Sequence, residues 1–222
     1  MNFESFPALD AIPRIRAAFT RRIPEIDVCV EREEALARLK VPLSQARTAL
    51  GFERMLFATA EQVHGNIVQE VTEKSELPIA GADGLLTTQP GICLGIYVAD
   101  CAAVYLADRL GRGMALVHSG KKGTELGIAP RAAEALCRTA GIQPSDLVAQ
   151  ISPCIRPPCY ERDFASEIVR QLQDFGVGEV HDCGVCTACR NDLYYSYRLE
   201  KGRTGRMLAL MALLPEPAAA RA

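Results

Sequence analysis

The stretch from Asp83 to Ser119 reads DGLLTTQPGICLGIYVADCAAVYLADRLGRGMALVHS, with apolar residues on consecutive positions and Gly, Pro and Asp as interruptions. Short apolar runs bounded by turn signals predict four strands, DGLLTT, ICLGIYVADC, AVYLAD and GMALVHS. Their lack of alternation predicts a sheet covered on both faces. MLFATAEQVHGNIVQEVTE predicts two more strands around a tight corner broken at Gly65, which puts His64 on a turn. Helical spacing occurs in EREEALARLKVPLSQARTALG, where Ala35, Leu36, Leu39, Ala46 and Leu50 share a face. Pro42 is expected to split that helix, with Ser44 capping the second piece.

TELGIAPRAAEALCRTAG is the clearest helical pattern, entered at about Thr124 and closed by Gly141, and ERDFASEIVRQLQDFG predicts a second amphipathic helix ending at Gly176. IDVCV, VAQIS and RMLALMALL read as further strands, the opening residues as short proline-interrupted pieces, and PEPAAARA as a frayed end. Strands mixed with helices predict an α/β fold, a mixed β-sheet core flanked by helices. With 222 residues and no repeat, low-complexity run or linker, the chain is expected to form a single domain over residues 1–222.

Charge narrows the partners. A formal net charge of -2 and a pI near 6.0 carry no basic footprint for a nucleic acid or an anionic membrane, which leaves a small-molecule substrate or a protein partner. No run approaches the eighteen or so apolar residues of a spanning helix. The start lacks a signal-peptide succession, and nine cysteines cannot all pair internally, so a cytoplasmic protein with mostly reduced thiols is expected.

Three residues carry the candidate chemistry, Cys101 and His118 at the ends of apolar runs and His64 on the QVHG turn before them. His64, Cys101 and His118 supply two imidazoles and a thiol, a donor set suited to zinc with one open position. Their long-range spacing is no zinc-finger signature, and a buried thiol with two hydrogen-bonded histidines fits the local residues as well. Cys101 activated by one histidine, as in a metal-free cysteine hydrolase, uses the same side chains. Cys183, Cys186 and Cys189 form C-x2-C-x2-C without the following cysteine and proline of a ferredoxin cluster. His181, or Cys154 with Cys159, would complete a second metal site if the fold brings them together; incidental thiols or a labile disulfide are the alternatives. Cys29, Cys93 and Cys137 sit in apolar surroundings and are expected in the core.

QVHG, DGLLTTQPG, the Ala-Asp-Cys triplet, VHSG followed by Gly123, SPCI with Tyr160 and Glu161, and the late SYR and TGR occur in that order. In this the chain resembles the YfiH-like family over roughly residues 55–215, a family known as multicopper polyphenol oxidase or laccase-domain proteins and as purine nucleoside phosphorylases. The resemblance implies a metal, normally zinc, held by His64, Cys101 and His118. It also implies phosphorolysis of purine nucleosides, including methylthioadenosine, and adenosine deamination. Copper is disfavoured because multicopper centres need more than the three histidines present.

For that chemistry Asp83, at a strand entrance, is the expected proton-moving carboxylate, although Asp-Gly is equally a turn. Asp100 would point away from Cys101 in an extended strand and is expected to make structural hydrogen bonds. Lys121 and Lys122, in the turn that leads into the helix at about Thr124, are candidates for phosphate together with that helix's free N–H groups, and Arg198 and Arg206 either reach substrate or pair with carboxylates. The family's His-Ala-Gly-Trp-Arg-Gly is here His118-Ser119-Gly120-Lys121-Lys122-Gly123, and lysine lacks the planar fork of arginine. Residues 1–50 are short and divergent, with Arg47 standing in for the family's helix arginine. These departures leave room for a member that keeps the metal site but acts as an accessory, non-catalytic protein.

Overall fold

A computed structural model describes residues 3–216. The chain opens with β1 (Phe3–Glu4), α1 (Pro7–Asp10) and β2 (Ile15–Thr20), continues through α2 (Arg32–Ala49), and then lays down β3 (Leu56–Thr59), β4 (Val68–Glu70), β5 (Gly84–Thr87), β6 (Ile92–Val98), β7 (Ala102–Asp108) and β8 (Met114–Ser119). α3 (Lys121–Glu125), α4 (Ile128–Ala140), β9 (Leu147–Ile151), α5 (Phe164–Phe175), β10 (Glu179–Asp182) and β11 (Met207–Leu213) complete it.

The strands form two mixed sheets. One has five strands in the order β1-β2-β11-β6-β3, and the other six in the order β10-β9-β7-β8-β5-β4. β7 and β8 show why the apolar runs do not alternate. Ala103, Tyr105, Leu116 and Met114 pack into the core shared with the five-stranded sheet, while Val104, Leu106, Val117 and Ala115 pack against α4 and α5. Both strands are therefore covered on both faces, and every residue of each is buried.

The two strands expected around His64 are present, but the corner joins different sheets: β3 pairs with β6 and β4 with β5, both in parallel. β6 and β7 also belong to different sheets, so Cys101 lies in the short link between them. His64 and Cys101 thus both occupy crossings from one sheet to the other. His118, near the end of β8, pairs with Ala103 just beyond the second crossing.

Several expectations change. Pro42 does not split α2, which runs unbroken with Pro42 inside and Ser44 in its interior. Ala35, Leu39, Leu43 and Ala46 continue one buried stripe through the proline, and their burial offsets an interior-proline cost of about 3 kcal/mol. IDVCV is not a strand; IRAAFT is, sandwiched between β1 and β11, where burial erases the alternation that marks a strand. The helix expected from about Thr124 is two helices: α3 begins at Lys121, and Gly127, at φ 67° in the left-handed region, breaks it from α4. β10 was not expected, and Cys29 is exposed rather than in the core, whereas Cys93 is buried. Of the expected frayed end, residues 217–222 lie outside the described residues. Among the described residues no helix is long and apolar enough to cross a membrane.

Candidate metal centre

The turn carrying His64 is held from two sides. Gln62 exchanges hydrogen bonds with the backbone of Tyr97, donating from Nε2 to the carbonyl at 2.6 Å and accepting from the N–H at 2.9 Å. Asp83 accepts the backbone N–H groups of Val63, His64 and Gly65 at 3.1, 2.9 and 2.7 Å. Gln62 and His64 both take positive φ, 63° and 60°, and these hydrogen bonds hold the chain in that costly conformation.

Asp83 also reaches His118, with Oδ1 2.8 Å from Nδ1. Its carboxylate is fully buried, so it is occupied by four N–H partners and does not open on the cavity. The geometry makes it a positioning group: it holds the His64 backbone and orients the His118 ring, directing Nε2 away from itself. Burial would raise the Asp83 pKa, but His118 and the backbone N–H groups outweigh it and hold the carboxyl below its usual range.

One donor atom from each of His64, Cys101 and His118 lies within 4.8 Å of the others. The two imidazoles meet edge to face with ring centroids 4.8 Å apart. Burial alone would push the Cys101 thiol up, yet hydrogen bonds from His118 and His64 bring it down to about 6. For His118 burial opposes the charged form, but Asp83 and Cys101 raise its pKa to about 9. A thiolate between two imidazoles, one backed by a carboxylate, fits a soft or borderline divalent metal, and three protein donors beside a cavity leave the fourth position open. Gly120 is required for this approach, since a Cβ there would stand 2.4 Å from the Cys101 sulfur.

The cavity in front of these three side chains measures about 460 Å³. Lys121 and Arg198 line it, as do Arg32 and Arg206, while Tyr160 and Tyr197 supply aromatic walls. Arg198 lies over the Tyr160 ring, 4.6 Å from its centroid, and pairs with Glu161 at 3.1 Å. Lys122 is exposed and off the cavity wall, because α3 starts there and turns it outward. Arg47 faces a separate cleft over the Phe57 ring, at 4.1 Å, and its Nε is buried without a partner. The basic residue that α2 sends to the cavity is instead Arg32, at its first turn, which nothing in the local sequence distinguishes from a solvated helix end.

Arg206 is 9% exposed and donates from Nη1 to the carbonyls of Thr204 and Gly205, both at 2.8 Å. Among the described residues no carboxylate lies within ion-pair distance of it. Burial and the neighbouring Arg32 hold its pKa below the usual value. Asp100, at φ 81°, accepts from Thr187 Oγ1 at 2.7 Å, Ser196 Oγ at 3.1 Å and the Arg198 N–H at 2.7 Å, which is the structural hydrogen bonding expected of it.

A family model described as multi-copper polyphenol oxidoreductase laccase matches residues 25–169 and 161–214. The chain belongs to this family. A purine nucleoside phosphorylase of Deinococcus radiodurans is 32% identical over 191 residues, covering 74% of this chain and 73% of that protein. Purine nucleoside phosphorylase YlmD of Geobacillus stearothermophilus is 28% identical over 202 residues, covering 73% and 74%. The crystal structure of YlmD from Geobacillus stearothermophilus superposes with a TM-score of 0.84 at 24% identity, over 95% of this chain and 94% of that one. The Bacillus licheniformis protein YfiH gives a TM-score of 0.82 at 22% identity, over 90% and 93%. The fold of this family member is therefore the YfiH/YlmD fold, and its relatives are named as enzymes.

Proposed function

We propose that this protein is a zinc-dependent purine nucleoside phosphorylase. The observation that carries the reading is Arg206: a buried guanidinium without a carboxylate, beside Arg32, on the wall of the cavity that also exposes His64, Cys101 and His118. A buried cation is costly without an anion, and phosphate supplies one. Lys121 and Arg198 add charge at the same cavity, and Tyr160 and Tyr197 offer faces on which a purine stacks.

In phosphorolysis a phosphate oxygen forms a bond to ribose C1' as the bond from C1' to the purine nitrogen breaks, giving ribose 1-phosphate and the free base. Arg206, Arg32 and Lys121 bind the anion and reduce its repulsion from the leaving base, while the aromatic walls orient the base. His64, Cys101 and His118 would hold the zinc, with Asp83 fixing the ring of His118. When bound, the ion supplies Lewis-acid chemistry at the cavity floor. Zinc is favoured over a copper cluster because only two of the chain's histidines, His64 and His118, lie at the site; His181 is bonded to Glu179 at 3.3 Å.

The test is incubation of zinc-loaded protein with adenosine, inosine, guanosine or methylthioadenosine, with and without phosphate. Phosphate-dependent release of free base above a His118→Ala control supports the reading, and inosine from adenosine would identify deamination. No product beyond that control would leave an accessory metal-binding protein. A second reading, a metal-free cysteine hydrolase, draws on the lowered Cys101 thiol beside His118. It requires that activity survive chelation, which a chelator arm added to the assay reads.

A further inference from the structure

The cysteines of the C-x2-C-x2-C segment do not act together. Cys183 stays apart, and Cys159, from the loop between β9 and α5, joins Cys186 and Cys189 so that the three sulfurs lie within 4.8 Å of one another. Two backbone strips bring them together. Cys154 donates its N–H to the Val185 carbonyl at 3.2 Å and accepts from Thr187 N–H at 3.1 Å, a parallel bridge between the two loops. Cys159 and Cys189 then place their sulfurs 3.3 Å apart.

We propose that Cys159, Cys186 and Cys189 hold a second metal ion of the zinc class, which clamps together the two loops forming one wall of the cavity. Tetrahedral zinc with thiolates at about 2.3 Å sets neighbouring sulfurs about 3.8 Å apart, a small adjustment from the arrangement present. Cys186 and Cys189 sit on one tight turn, closed by the Arg190 N–H donating to the Cys186 carbonyl at 3.1 Å. Three sulfurs this close together are placed to share one dication. Each thiol that ligates releases its proton to solvent as the metal–sulfur bond forms. Cys189 is exposed, so the ion has an access route and its fourth position faces solvent. A disulfide between Cys159 and Cys189 would instead need an electron acceptor and would leave Cys186 unused.

The clamp bears on the cavity through neighbours of its ligands. Tyr160 follows Cys159 and lines the cavity, and Thr187, between Cys186 and Cys189, donates to Asp100. The proposal does not rest on the phosphorylase reading.

The experiment is zinc loading of the reduced full-length protein, removal of free metal and elemental analysis. Wild type is expected to hold about two zinc ions per chain, and His118→Ala and the Cys186→Ser/Cys189→Ser pair about one each. A second measurement needs no cysteine variant: in His118→Ala, alkylation mapped by mass spectrometry should show Cys159, Cys186 and Cys189 protected by zinc and released by a chelator. Zinc absent from His118→Ala, or alkylation of those three cysteines unaffected by zinc, overturns the proposal. Failure of the first site reads differently, as zinc undiminished by the His118 substitution.

Discussion

Asp83 and His118 are bonded side chain to side chain, Oδ1 to Nδ1 at 2.8 Å, and the same carboxylate accepts the His64 backbone N–H at 2.9 Å. One buried group therefore fixes two of the three candidate ligands. Asp83→Asn keeps the shape but removes the charge and half the acceptors, so zinc affinity is expected to fall about 10–100-fold in a competition titration against a chromophoric chelator. Unchanged affinity would show that the ligands hold themselves.

Gly120 stands so close to Cys101 that an alanine Cβ would be 2.4 Å from the sulfur. Gly120→Ala should displace the thiol without removing any ligand. Metal content measured after desalting should drop well below that of wild type, with a stability loss of about 1–3 kcal/mol in denaturant titration. Retention of full metal content would mean that the α3 start moves freely.

Among the described residues no carboxylate pairs with Arg206, so the phosphate-binding role proposed for it can be tested without breaking an ion pair. Arg206→Ala is expected to raise the KM for phosphate at least about 10-fold, the worth of one charge-assisted hydrogen bond. Arg206→Lys should recover little, because an ammonium cannot make the planar contacts of a guanidinium. An unchanged phosphate KM in both variants would remove Arg206 from the anion site.

Asp108, fully buried, closes the β7–β8 hairpin by accepting from the Leu110 and Arg112 N–H groups and the Arg112 guanidinium. Burial would raise its pKa, but these bonds outweigh that and lower it from 3.8. A depressed carboxyl contributes stability above its unfolded pKa and loses it as pH falls through the folded value. Arg112 is 43% exposed, so solvent screening limits the contribution. Asp108→Asn should cost about 2 kcal/mol at neutral pH, and the gap in Tm between variant and wild type should close below pH 4. A gap that persists in acid would assign the loss to packing.

The strands were legible where the pattern was local. β5 to β8 read directly as apolar runs between turn signals, and α5 ended where its glycine stood. What failed depended on partners distant in sequence: β2 is buried between β1 and β11, and α2 passes through Pro42 because its stripe is held by the core. The site divides the same way. Cys101 and His118 end apolar runs and His64 sits on the QVHG turn before them, and the fold brings the three together. Arg32 carries no local mark, since only the position of α2 aims it at the cavity. Cys159 joins Cys186 and Cys189 through a bridge between two loops that spacing alone does not encode.

Asp100 separates the ligands from the loop behind them. It sits next to Cys101 but spends its carboxylate on Thr187, Ser196 and the Arg198 N–H, so it ties down the segment that delivers Arg198 and Tyr197 to the cavity. Asp100→Ala would leave two buried hydroxyls and one N–H without their acceptor, a loss of about 1–3 kcal/mol for such a buried group, felt first in that segment. Zinc content should remain, because none of these bonds reaches His64 or His118, while the KM for nucleoside rises and the 190–204 segment exchanges its amide hydrogens faster. Loss of zinc together with activity would instead make Asp100 part of the metal centre, and unchanged exchange would show that the segment is held by the Glu200 contacts to Arg22, Ser196 and Thr204 alone.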